Sequence, residues 1–96
     1  MRRLLLCLLG LPCALALAQP SASEIEFFET RIRPVLATEC YECHDAKKQK
    51  GDLRLDYRDG LLKGGENGPA IRPGDARKSL LIQSITHEHP DLQMPK

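Results

Sequence analysis

An all-α domain of short helices joined by a long irregular loop is the architecture this sequence predicts, on three observations. Apolar residues recur at helical spacing at Ile25, Phe28, Ile32 and Leu36, and gather again at Leu80, Leu81, Ile82 and Ile85, as in helices that bury one face. Leu53 and Leu55 alternate with Arg54 and Asp56 in a strand-like fragment that is too brief to stand alone. Between fragment and second helix runs GGENGPAIRPGD, residues 64–75, whose glycines and prolines work against regular structure.

Residues 1–18 are not expected to enter this fold. MRRLLLCLLGLPCALALA opens on Arg2 and Arg3, continues as an apolar run and ends in Ala16-Leu17-Ala18, the layout of a secretory signal peptide cleaved after Ala18. Gly10 and Pro12 interrupt the run, which is short of the ~20 apolar residues that a membrane span needs, so no stable span is expected once the leader is removed. Lipid attachment at Cys7 or Cys13 is a weaker reading, because Leu6 and Pro12 are poor neighbours for such processing. The protein is then exported, to the periplasm or cell envelope, with residues 19–22 as a linker and 23–96 as one domain.

That remainder is too short to be comfortably stable on an apolar core alone, so something else is expected to help it fold. Loss of Arg2 and Arg3 takes the formal charge from +1 to about −1, with signs mixed along the chain, which argues against nucleic acid as a partner. Cys40 and Cys43 remain, one local pair and no disulfide framework.

In chain order, Ser23 and Glu26 fit a capping box that opens the first helix. Pro34 removes an amide donor and pushes Arg33 from helical angles, so a break is expected near Arg33, with Pro34 in the first turn of a second helical segment. DAKKQKGD, residues 45–52, reads as an exposed loop turning at Gly51. Asp56 is the expected cap of a short helix through Leu61 and Leu62, stopped by Gly64 and Gly65. Asp75 is the expected cap of the helix through Ser79 to Ile85.

The chemistry concentrates in Cys40-Tyr41-Glu42-Cys43-His44. Two thiols three residues apart, with an imidazole directly after the second, suit covalent attachment of one haem c: two thioether tethers from Cys40 and Cys43, and His44 as the proximal iron ligand. A redox disulfide, a zinc site recruiting His87 or His89, and a plain surface disulfide are the weaker readings. The redox pair lacks the strand-helix-strand setting that lowers a thiol pKa, and His87 and His89 are spaced too closely for the usual zinc pattern.

Once Met1 is removed, Met94 is the remaining thioether and the favoured distal ligand, ahead of His87, His89 or an open sixth position. Pro95 restricts Met94 to extended angles. The carbonyl of Pro69 is a candidate acceptor for the second ring N–H of His44. Arg54, Tyr57 and Arg58 are candidates to meet haem propionates, against the plainer reading of solvated charges.

FFETRIRPVLATECYECH, KGDLRLDYRDGLLKGGENGPAIRPGD, SLLIQSI and MPK together resemble the planctomycete-type cytochrome c domain over Phe27 to Lys96. The resemblance implies a small cytochrome c-like domain whose irregular loop wraps the haem, with Cys40 and Cys43 as attachment residues, His44 proximal and Met94 distal. It implies electron transfer and no catalysis of its own, with redox partner proteins or an attached enzymatic domain receiving the electrons. Arg72 and Ala76 depart from the apolar residue and proline common in that family. The family also continues past the Met-Pro loop into a C-terminal helix that packs on the first one, so this chain is expected to lack that helix and to leave Ile25, Phe28 and Ile32 without their cover. A haem sensor or peroxidase-like site with an open sixth position, and a haem-free zinc or disulfide binding module, are the alternatives.

Overall fold

The computed structural model describes residues 19–96 together with Gly10; apart from Gly10, the expected leader lies outside the described residues. Ser21 opens the first helix, α1 (Ala22–Phe27), accepting the Glu24 amide while the Glu24 carboxylate reaches back to the Ser21 amide. The capping box thus forms two residues earlier than the Ser23–Glu26 pair expected, because the same pattern occurs twice and Ser21 sits where the backbone is extended.

The expected break at Arg33 does not occur. The chain passes instead through a π-helical segment, Phe28–Ile32, into α2 (Arg33–Glu39), and Arg33 keeps helical angles of φ −54° and ψ −43°. Its amide donates five residues back, to the Phe28 carbonyl. A proline ring crowds the carbonyl four residues before it, and the wider π turn accommodates Pro34 without ending the helix. Arg33 also makes a paired contact with Glu29, at 2.6 and 3.0 Å, and lies over the Phe28 ring at 5.3 Å, on the surface of the same turn.

Beyond the motif, Lys50–Asp52 form a single 3-10 turn in which Gly51 takes φ 65°, the expected turn position. Leu53 is extended, at φ −106° and ψ 129°, residues 53–55 join no sheet, and no strand is present among the described residues. Helix α3 (Arg58–Lys63) begins after Tyr57, without the Asp56 cap that was expected; the Asp56 carboxylate is held by Arg54 instead. Gly64 ends the helix at φ 70°. A side chain there would drive into the Gly68 carbonyl, so the following loop closes tightly only on glycine.

Helix α4 (Leu80–Ile85) is preceded by a turn that Asp75 caps through the Lys78 amide, at 3.2 Å. Asp75 therefore serves the turn and not the helix. Buried Ser79 pins that turn, accepting the Arg72 amide at 2.9 Å and donating to the Asp75 carbonyl at 2.8 Å.

Leu55, Leu61 and Ala70 form the core, with Cys40, Tyr41, Leu53, Ile71 and Leu81 packed against it. Ala70 ties the two short helices to it: its amide donates to the Leu61 carbonyl and its carbonyl accepts the Leu81 amide. Of the first apolar stripe, Leu36 is buried, whereas Ile25 is 49% and Ile32 38% exposed; Phe27 and Val35, outside that stripe, are more exposed. No helix among the described residues is long and apolar enough to cross a membrane.

Candidate functional site

Helix α2 delivers the motif. As it ends, the amides of Cys40 and Tyr41 both donate to the Leu36 carbonyl, and those of Cys43 and His44 both donate to the Cys40 carbonyl, at 3.2 and 3.1 Å. This one turn carries both cysteines and the histidine. Both thiols are half-buried and unpaired. Burial, and secondarily the Glu39 charge, push the Cys40 thiol up from its ordinary pKa. A redox nucleophile needs the opposite shift.

His44 is fixed at three points. Its amide donates to the Cys40 carbonyl, its own carbonyl accepts the Leu55 amide at 2.9 Å, and its ring Nδ1 lies 3.3 Å from the Leu53 carbonyl. A carbonyl only accepts, so this contact puts the ring proton on Nδ1 and leaves the Nε2 lone pair available to a metal. The acceptor expected at Pro69 is therefore Leu53 in this structure. Pro69 is exposed, on the edge of a shallow depression shared with Arg72, Lys78 and Leu80.

The Leu53–Leu55 segment is itself clamped. The Arg54 guanidinium donates twice to the Asp56 carboxylate, both at 2.9 Å, and lies 4.5 Å over the Tyr57 ring. Those hydrogen bonds hold the Asp56 carboxyl below its ordinary range and raise Arg54 further. Neither group was singled out for this role by sequence, although Arg54 and Asp56 stand two apart on an extended segment and so share a face. Arg54 is thereby committed to Asp56 and Tyr57, while Arg58 is exposed at the start of α3.

Met94 is half-buried, and its amide donates to the Ser84 carbonyl at the end of α4, at 3.0 Å. No hydrogen bond joins it to the cysteine turn among the described residues. His89 is occupied: its Nδ1 accepts the Asp91 and Leu92 amides, both at 3.1 Å. That leaves its proton on Nε2 and neither nitrogen ready to ligate. His87 is exposed, with φ 59°. No three His, Cys, Asp or Glu side chains converge on a common point among the described residues, so no zinc cluster is assembled.

The residues fit a tethered haem on the chemistry of their donors: two unpaired thiols on one turn, beside an imidazole whose tautomer leaves Nε2 free. A small helical domain carrying this turn is of the c-type cytochrome class. Residues 40–96 match the family described as planctomycete cytochrome C, and the chain belongs to that family. Neither a curated protein nor a solved structure matches the chain. Membership makes it a c-type cytochrome, of a class that binds haem c covalently and carries electrons.

Proposed function

We propose that this exported protein carries one haem c, tethered at Cys40 and Cys43 and ligated by His44 Nε2 and Met94 Sδ. It passes single electrons between redox partner proteins, or to an enzymatic domain to which it is attached. One observation carries the reading: the Leu53 carbonyl holds the Nδ1 side of His44, leaving Nε2 free beside two unpaired thiols. When bound, haem supplies a one-electron iron couple, and His/Met ligation favours a relatively high potential.

The chain's own contribution is positional. The Leu36 and Cys40 carbonyls wind the turn that presents thiols and imidazole together. Leu55, Leu61 and Ala70, on which Cys40 packs, offer apolar surface beside the turn. The Ser84 carbonyl steadies the backbone at Met94.

The test is intact mass and a visible spectrum of the full chain, expressed with its own first residues in a host that matures c-type cytochromes. A haem-sized mass increase that survives denaturation, with a c-type reduced spectrum, is the expected result. No added mass, in cells that mature a control cytochrome, refutes the reading.

A further inference from the structure

We propose that Arg54, Asp56 and Tyr57 form a clamp that positions His44 and sets the electron richness of its imidazole; this rests on the haem reading above. Arg54 lies between the two residues whose backbones grip His44: Leu53, whose carbonyl accepts from the ring, and Leu55, whose amide donates to the His44 carbonyl. The segment is extended, with Leu53 at φ −106° and ψ 129°, so Arg54 and Asp56 share one face while Leu55 turns into the core, 3% exposed. The two-pronged Arg54–Asp56 contact therefore bridges Leu55 and ties its flanking residues together. Tyr57 closes the arrangement under the guanidinium. Gly60 leaves the room for this: a side chain there would strike the Arg54 carbonyl at 2.5 Å and the Tyr57 ring at 2.6 Å.

The electronic consequence comes from the direction of the hydrogen bond. A carbonyl that accepts the Nδ1 proton makes the imidazole a better donor at Nε2, which stabilises oxidised iron and lowers the potential. Loosening the clamp lengthens that bond. The ring loses electron density and the potential rises.

Arg54→Lys keeps the charge but not the planar fork, and Asp56→Asn weakens the acceptor. Each full-length variant is scored three ways: covalent haem by intact mass, His44 Nδ1–H exchange by nitrogen-15 NMR, and midpoint potential. The expected result is wild-type haem content, ring-proton exchange roughly fivefold faster, as for loss of about one hydrogen bond, and a positive shift in potential. Asp56→Glu, which restores a carboxylate, is expected to recover both readings. A clamp that only stabilises the fold would lower the melting temperature while leaving exchange and potential unchanged, and that outcome overturns the proposal. If Arg54→Lys fails to accumulate, Asp56→Asn, a change at a partly exposed carboxylate, gives the same three readings. A wild-type chain without covalent haem would refute the haem reading alone, and ring-proton exchange in the haem-free chain would still decide for or against the clamp.

Discussion

The two residues proposed as iron ligands are held unequally: His44 is gripped at ring and backbone, whereas Met94 is held at its amide alone. Met94→Ala is accordingly expected to leave haem attached and to lower the midpoint potential, by loss of the thioether that favours reduced iron; redox titration checks it. If Met94 does not ligate, the potential and spectrum will not move, which favours the open-site alternative. Asp56 gives a pH signature. Its folded pKa is depressed by Arg54, so its stabilisation is present above the unfolded pKa and is lost as pH falls through the lower, folded value. Asp56→Asn should flatten the stability curve in that acid window, measured by urea unfolding. Cys40, Cys43 and His44 stand out in the sequence because the proposed chemistry belongs to their side chains. Leu53 does not, since a backbone carbonyl has no side-chain signature and any residue can supply it.

Pro34 shows how an element can be read correctly in place and wrongly in form. Its position at the start of α2 agrees with its fixed φ, but the chain resolves the crowding with a π turn. An inserted residue rotates the helix before it by about 100° relative to the helix after it, so the stripe of Ile25 and Phe28 leaves the phase of Leu36. Pro34→Ala is expected to let the turn relax to ordinary helical bonding, with stronger far-ultraviolet helical dichroism. The gain in stability should stay below the ~3 kcal/mol that an unaccommodated helix proline costs, because the π turn has already relieved most of the clash. Helix caps were legible as residue types but not as positions: Ser21 and Ser23 both begin the same pattern, and Asp75 caps a neighbouring turn.

Taken together, the elements enclose a core of few residues, with Leu36, Leu55, Leu61 and Ala70 as its buried apolar members. A core that small leaves the folded state short of apolar burial, and a porphyrin seated beside Cys40 would add to it. The Cys40→Ala, Cys43→Ala double variant is therefore expected to lack covalent haem and to melt without a cooperative calorimetric peak, where the haem-bearing chain shows one. The helical class and the glycine-rich loop were readable from periodicity and composition. The exposure of Ile25 and Ile32 was not readable from periodicity, which marks an apolar face without saying what meets it.

The links made by Leu55 to His44, Ala70 to Leu61, Leu81 to Ala70 and Met94 to Ser84 break the long excursion from His44 to Met94 into successive closures of about ten residues each. Met94 is thus no loose end of a long tether. Chain diffusion over such short intervals is fast, and local contacts of this kind favour rapid folding. With Met94 as the proposed iron ligand, a methionine displaced from the iron would have only its last short loop to close again, and its return should be a local event that does not wait on refolding of the domain.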